Sequence, residues 1–343
     1  MAEHYKPLRR LSERKATTSY EWLNAGSQIG QLVNAWSGRN DLAVYCGEEA
    51  ANKEAVAAFY HDSAEIEVNA EKAFDYLDPK SIGNLLERET QFEFPKSIGV
   101  IYHEALHARH TNWDRETLLS ELDSSEGRAF MLLEEIRIEA RGLLEVPKNR
   151  LFLRESALHF ALEEVNEATL QNVSEVWQSA MLGVLAIGRF DVGVLEASDV
   201  RLIHSRLLEN LGEDLLKALR KIWIEFAGLK VSQIERGMEL AREWVALLRE
   251  ADPEGEGGFG QTGEEGEEGE EGEHKVAVPS SIADLIEQLA EDVSMDNSMD
   301  LSDQEKSEKW EDEAKSRSQS AKNRNQKKMV AQKIFDKQND AKG

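Results

Sequence analysis

Residues 94–110 read FPKSIGVIYHEALHARH and contain the pattern His-Glu-x-x-His at His103, Glu104 and His107. Positions i and i+4 lie on one face of an α-helix, about 6 Å apart along the axis. Two imidazoles spaced in this way can share one tetrahedral Zn²⁺ ion. The glutamate between them stands where a general base for a metal-activated water is needed. Pro95 suits the first turn of such a helix, where no backbone N–H donor is required.

The pattern has an alternative explanation, since a surface helix can carry two unrelated histidines by chance. The surrounding residues are small or apolar, which indicates that the helix is largely buried; they include Ile98, Val100, Ile101 and Leu106. Adjacent buried histidines with a buried glutamate need a partner that offsets their desolvation. The sequence therefore favours a metal site.

Composition and charge restrict the class of protein. The chain has 343 residues, a formal net charge of −25 and a single cysteine, Cys46. A polyanion is not expected to bind nucleic acid, because phosphates repel it. One cysteine cannot form an internal disulfide, which is typical of a reducing compartment. We find no secretory signal and no apolar run of the roughly 20 residues that a membrane span needs, so we expect a soluble cytoplasmic protein without a membrane partner.

The composition changes along the chain and predicts its organisation. Residues 1–18 form a polar lead-in, and 19–250 carry the apolar periodicity of a folded domain. Residues 252–275 are a Gly/Glu linker with Glu-Glu-Gly repeats. We expect this linker to be disordered because it has almost nothing apolar to bury. Residues 276–343 are expected to be a largely disordered tail with one short amphipathic helix.

A helix over 20–36, a buried strand over 42–46 and a β-hairpin are predicted upstream of the His-Glu helix. In the second hairpin strand, Ile66 and Val68 alternate with Glu65, Glu67 and Asn69, which predicts one buried and one solvated face. The free edge of this strand could bind an extended peptide by strand addition, with Ile66, Glu67 and Val68 as substrate contacts. An ordinary sheet edge is the alternative.

Two histidines do not complete a zinc site, so a third ligand is needed. His110 lies on the same helical face, but a continuous helix spreads i, i+4 and i+7 over about 10 Å, too far for one ion. We therefore expect His110 to support the site or cap the helix. The first helix is expected at 95–112 and a second at 127–146, which is the better source of the ligand.

The periodicity of the second helix favours one glutamate. Its apolar stripe consists of Ala129, Leu132, Leu133, Ile136, Ala140 and Leu143. At 100° per residue, Glu139, Glu135 and Glu134 lie about 70°, 110° and 150° from the stripe centre. We predict Glu135 as third ligand and Glu139 as the carboxylate that orients a zinc-bound histidine. Glu134 remains the alternative ligand, Arg137 and Arg141 are expected to neutralise the acidic cluster, and a solvated charged face is the competing explanation.

The segments HEALHARH at 103–110 and LLEEIRIEAR at 132–141 together resemble the zincin-type metallopeptidase domain of bacterial and phage proteins. In the glutamate-zincins the second helix carries Glu-x-x-x-Asp, which Glu135 and Glu139 match with Glu for Asp. The resemblance implies an α+β, mostly α-helical fold, with a small hairpin or sheet before the active-site helix. Apolar stripes at helical spacing predict a helical bundle over 150–250. The resemblance also implies one Zn²⁺ per chain and hydrolysis of a peptide or protein substrate, with Glu104 as general base.

A second resemblance, to the T subunit of aerobic cobaltochelatase, rests on the segment 106–109 and on Glu134, Arg137 and Glu139. That subunit assembles with a ring-forming ATPase and is not a peptidase. This second resemblance implies a non-catalytic adaptor whose partner is an AAA+ ATPase ring or a von Willebrand A protein. The two resemblances cover roughly 40–250 and imply a cytoplasmic location, in the host if the protein is phage-encoded. No phosphate-binding loop of the Gly-x-x-x-x-Gly-Lys type occurs in the chain itself.

Overall fold

The computed structural model describes residues 19–48 and 55–255, apart from 123, 163–164, 166–169, 171–172 and 174. The predictions for the lead-in, for most of the linker and for the tail lie outside these residues. Within them the chain is mostly helical with one small sheet, as predicted for an α+β protein. No helix in this part of the chain is long and apolar enough to cross a membrane.

The first helix, α1 (Tyr20–Ser37), confirms the helix predicted over 20–36. Ser19 caps its N-terminus, since the hydroxyl oxygen accepts a hydrogen bond from the backbone N–H of Trp22 at 3.2 Å. The helix ends at Gly38, which has a φ of 71°. Glycine adopts this left-handed conformation without a steric penalty, so the sequence marks the end of the helix.

The sheet has three strands, β1 (Ala43–Gly47), β2 (Ala57–Tyr60) and β3 (Glu65–Asn69). The strand order is β1-β3-β2, with β1 parallel and β2 antiparallel to β3. The buried strand and the hairpin predicted from the sequence are therefore confirmed. The second strand pairing, between β1 and β3, was not predicted.

Two predictions for β3 are wrong. Glu65, Glu67 and Asn69 are at most 7% exposed, so the face expected to be solvated is buried. Both edges of β3 are also paired, which leaves no free edge for strand addition. Ile66, Glu67 and Val68 therefore do not form the predicted peptide-binding edge. Side-chain alternation reports which residues share a face, but it does not report which strand is central.

The two helices predicted to carry the site are α4 (Pro95–His110) and α5 (Ser125–Glu145). Two short helices precede them, α2 (Ala70–Ala73) and α3 (Arg88–Glu93). Pro95 occupies the first turn of α4, and residues 97–108 of that helix are buried. The prediction of a largely buried His-Glu helix is confirmed.

The predicted helical bundle over 150–250 is also present. It comprises α6 (Arg150–Ser156), α7 (Val176–Leu182), α8 (Arg189–Asp191), α9 (Ala197–Gly228) and α10 (Ile234–Ala251). A π-helical turn at Gly183–Gly188 joins α7 to α8, and α9 is kinked at Gly212. Because a π-helical turn holds one more residue than an α-helical turn, it shifts the direction of the side chains that follow it.

Helix α4 separates two hydrophobic cores. Ile98 and Ile101 pack into the core formed with α1 and the sheet. Tyr102 and Leu106 pack into the core formed with α5 and the bundle. With apolar neighbours on two sides, the polar side chains of α4 are enclosed within the protein, which explains why its histidines are buried.

The close approach of α4 to α6 allows a test of this packing. A methyl group at Gly99 would lie 2.0 Å from the backbone oxygen of Phe152 and 2.6 Å from Cβ of Ser156. We expect Gly99→Ala to lower the free energy of unfolding by about 1–3 kcal/mol, because overpacking forces the two helices apart. Urea unfolding measures this change. The control is Gly30→Ala in α1, where the nearest atom would be 3.9 Å away. Equal stability of the two variants would contradict the packing described.

Candidate metal centre

His103 and His107 of α4 and Glu135 of α5 come together in the structure. Their ligand atoms all lie within 4.8 Å of one another. Nε2 of His103 is 3.0 Å from Oε2 of Glu135, and Nε2 of His107 is 3.2 Å from Oε1 of Glu135. One carboxylate therefore faces both rings. This buried group has the composition and spacing to bind a metal ion.

The contact between α4 and α5 brings these ligands together. The Tyr102 hydroxyl donates a hydrogen bond to the backbone oxygen of Gly142 at 3.1 Å. A Cβ at Gly142 would lie 2.6 Å from the Leu106 side chain and 3.0 Å from the Tyr102 hydroxyl, so the two helices approach closely at this glycine. The spacing of the two histidines on α4 places their ring centroids 4.9 Å apart.

Each histidine is held through its second ring nitrogen. Nδ1 of His103 lies 3.0 Å from Oε1 of Glu139, and Nδ1 of His107 lies 3.1 Å from Oγ1 of Thr111. A carboxylate can only accept from the imidazole, so Glu139 favours the tautomer that leaves Nε2 free for a metal. The predicted pairing of Glu139 with a histidine is thus seen. Thr111 was not predicted, although its i+4 spacing from His107 was a usable signal.

Arg189 is a charged residue of the site that the sequence analysis missed. Its Nε and Nη2 donate to the Glu139 carboxylate at 2.9–3.1 Å, and Nη2 lies 3.6 Å from Oε2 of Glu135. Its Nη1 donates to the backbone oxygen of Leu185 at 3.1 Å, and the residue is 1% exposed. Arg189 thus compensates the acidic cluster, the role predicted for Arg137 and Arg141. One signal was available, because Arg189 is the charge that ends the apolar run GVLAIG at 183–188.

Glu134 and Arg137 form a separate buried ion pair. The Arg137 guanidinium donates to both Glu134 oxygens at 2.5 Å, and Glu134 is 0% exposed. Arg137 also donates to the backbone oxygens of His110 at 2.7 Å and Leu229 at 3.4 Å. Arg141 donates to the backbone oxygens of Gly228 and Leu229 at 2.8–2.9 Å. These residues tie the C-terminal ends of α4 and α9 to α5. The prediction that Arg137 and Arg141 neutralise Glu135 and Glu139 is therefore wrong, and Glu134, the alternative ligand, faces Arg137.

His110 is likewise directed away from the three ligands. Its Nε2 lies 3.7 Å from Oε1 of Glu145. Burial lowers the pKa of His110 to about 4 despite that carboxylate. His110 is therefore neither a ligand nor a support for one; its backbone oxygen accepts a hydrogen bond from Arg137 at 2.7 Å at the end of α4.

Glu104 follows His103 directly in the sequence, and its side chain is buried, with the residue 1% exposed. At 100° per residue it lies about 60° around the α4 axis from His107. A carboxylate in that position borders the face that carries both imidazoles.

The buried charges shift one another's protonation equilibria. Burial alone would lower the pKa of His103, but the Glu135 and Glu139 carboxylates outweigh burial and raise this pKa to about 10. Burial would raise the pKa of Glu135, whereas His103 and His107 hold it well below its ordinary value. Arg189 and His103 likewise hold the pKa of Glu139 low against the effect of burial. A positive charge between the carboxylates, carried by a proton or by a metal ion, therefore stabilises the site.

Comparison with known proteins adds no family to this description. No protein-family model, no curated protein and no solved structure matches the chain. The function is therefore inferred from the three donors and the charges around them.

The raised pKa of His103 predicts that metal binding releases a proton. At pH 7 this imidazole is protonated before a metal arrives, and it must lose that proton to coordinate. We expect release of about one proton per Zn²⁺ bound, and an affinity that falls as the pH is lowered. Calorimetry in buffers of different ionisation enthalpy measures this release. His204→Ala on α9 is the control and should release the same number. A binding heat that is independent of the buffer would contradict the prediction.

Arg189 provides a second test. In Arg189→Gln the buried carboxylates keep His103 but lose their second cation, so we expect the free energy of unfolding of the metal-free protein to fall by about 3–5 kcal/mol. The deficit should shrink as the pH is lowered, because a protonated Glu139 needs no cation. Denaturant unfolding measures both effects. Arg242→Gln removes an exposed ion pair with Glu121 and should change stability little. If the two variants are equally stable, Arg189 does not compensate the site.

Proposed function

We propose that this protein is a zinc-dependent metallopeptidase with a zincin-like active site. The observation that carries the proposal is the meeting of His103, His107 and Glu135 with their ligand atoms within 4.8 Å. Two imidazoles and one carboxylate are a ligand set of zinc hydrolases that keep a fourth position for water or substrate. The spacing of Glu104 within His-Glu-x-x-His, and of Glu135 and Glu139 on the second helix, supports the same assignment.

Each of the chain's groups has a distinct role in this proposal. Zinc would supply a Lewis acid that lowers the pKa of coordinated water to about 7. Glu104 accepts the proton of the attacking water and returns it to the leaving amine. Glu139 holds His103 in the tautomer that presents Nε2 to the metal position. Arg189 keeps Glu139 ionised and limits the negative charge of the site.

The donor set favours a transition metal, and the His-Glu-x-x-His pattern favours zinc among these metals. Imidazole nitrogens suit zinc, copper, iron and nickel, whereas calcium and magnesium prefer oxygen donors. His103 and His107 provide two nitrogens and Glu135 the oxygen. The Glu135 oxygens lie 3.0 and 3.2 Å from Nε2 of His103 and His107, so these three residues would hold the ion.

The burial of the ligands favours a second candidate function. His103, His107 and Glu135 are 7%, 3% and 6% exposed, so little of the site is accessible to a bulky substrate. A closed site is typical of structural zinc. The second candidate is a non-catalytic adaptor that works with an AAA+ ATPase ring or a von Willebrand A protein, with zinc holding α4 and α5 together. If the protein is a peptidase, the site must become more accessible to admit an extended peptide.

Metal analysis and peptide cleavage separate these candidates. We expect purified wild-type protein to contain about one zinc per chain. Glu135→Gln should lose the zinc, and the matched variant Glu134→Gln should retain it, because Glu134 pairs with Arg137. Glu104→Gln should keep the zinc and cleave a degenerate peptide library about 10²–10⁴-fold more slowly, as expected for loss of a general base. Glu89→Gln on the exposed side of α3 is the control for an unspecific effect.

The outcomes lead to different conclusions. Full cleavage by the Glu104 variant would contradict the peptidase mechanism. Stoichiometric zinc with no cleavage by wild type, together with co-purification of a ring ATPase, would establish the adaptor instead. Absence of zinc in wild type would exclude both metal-dependent forms.

A further inference from the structure

Trp113 has a buried indole N–H next to the proposed metal ligands. Its ring centroid lies 6.4 Å from that of His107, and the two planes are tilted by 48°. Its Nε1 is buried and has no hydrogen-bond acceptor. Trp22 and Trp223, by contrast, each have one. Trp22 donates to Glu48 at 3.2 Å, and Trp223 donates to Asp191 at 3.0 Å.

A buried donor without an acceptor needs an explanation, since it has lost its hydrogen bonds to water and gained none from the protein. In a stably folded protein such groups are rare and often have a functional role. Because Trp113 lies beside His107, a molecule bound at the site can supply the missing acceptor.

The indole is held in place by the turn of the β2–β3 hairpin. The His61 ring stacks on Trp113 at 4.8 Å, with 21° between the planes. Phe59 of β2 lies 6.0 Å from the same indole. Trp113 also packs against both hydrophobic cores. A donor fixed in this way does not have to reorganise when charge develops on its acceptor, which is the property required for catalysis.

Peptide hydrolysis creates a need for such a donor. As the water oxygen bonds to the carbonyl carbon, the π-electron pair of the C=O bond moves onto the carbonyl oxygen and the water proton passes to Glu104. When the C–N bond breaks, that electron pair re-forms the C=O bond and Glu104 returns the proton to the amine. Arg189 is unsuited to this oxygen, because its Nε, Nη1 and Nη2 already donate to Glu139 and Leu185.

We propose that the Nε1–H of Trp113 donates a hydrogen bond to the carbonyl oxygen of the substrate and stabilises the negative charge that develops there. This inference rests on the proposed peptidase function and adds a catalytic residue to it. His61 is a positioning residue, since it acts by holding the indole.

The test uses the zinc-loaded full chain, labelled with ¹⁵N at the tryptophan indoles, with acetohydroxamate as probe. This ligand binds zinc and carries a carbonyl oxygen that stands in for that of a peptide. We expect the Trp113 Nε1–H proton resonance to shift downfield as the probe saturates the site. We also expect Trp113→Phe to keep its zinc and to bind the probe about tenfold more weakly, as for loss of one hydrogen bond.

Trp36→Phe is the matched control, because Trp36 also packs against both cores. Its ring contacts that of Tyr102, with 5.1 Å between the centroids, and Tyr102 is not a proposed metal ligand. The Trp36 variant should bind the probe as wild type does. If Trp113→Phe does not fold, the shift of the Trp113 resonance in the wild-type protein decides the test. That resonance can be assigned without the variant, because Co²⁺ bound at the site broadens it.

The result distinguishes this inference from the proposed function. An unmoved Trp113 resonance at saturation, or equal affinity of Trp113→Phe and wild type, overturns the role of Trp113 and leaves the peptidase intact. Failure of wild type to bind zinc, or of the zinc form to bind the probe, overturns the peptidase function and the role of Trp113 with it.

Discussion

The contact of the Glu135 carboxylate with the imidazoles of His103 and His107 is the interaction on which the rest of the structure depends. All three side chains are almost completely removed from water, and a buried charge is strongly unfavourable unless it is compensated. Arg189 compensates part of the negative charge of Glu135 and Glu139. A proton or a metal ion among the three donors supplies the remainder. The close contact between α4 and α5 brings the donors together, and Arg189 follows directly after the π-helical turn.

The two adjacent glutamates of α5, Glu134 and Glu135, have different partners in the structure. Successive helical residues point about 100° apart, so Glu134 and Glu135 face different neighbours. Glu135 faces the histidines, whereas Glu134 pairs with Arg137, which also binds the end of α4 through the backbone oxygen of His110. The ion pair thereby links the C-terminal end of α4 to α5, apart from the three ligands. The two carboxylates are not interchangeable even though they are neighbours in the sequence.

Local periodicity was sufficient to predict the two site helices and the hairpin. The i, i+4 spacing of His103 and His107, and the angular position of Glu135 on its apolar stripe, are properties of single helices. The remaining errors concern contacts between distant segments. Arg189 reaches Glu139 across 50 residues, and no pattern within one helix encodes that contact. The central position of β3 likewise depends on its parallel pairing with β1, which side-chain alternation in the hairpin does not reveal.

X-ray absorption at the zinc edge of the zinc-loaded protein tests the central claim most directly. It should show a first shell of nitrogen and oxygen only, at about 2.0–2.1 Å, with the multiple-scattering features of two imidazoles. The only cysteine, Cys46, is buried in the core that α1 forms with the sheet, so sulfur should be absent from the shell. A shell without imidazole scattering, or one that contains sulfur, would contradict the assignment of His103, His107 and Glu135 as the metal ligands.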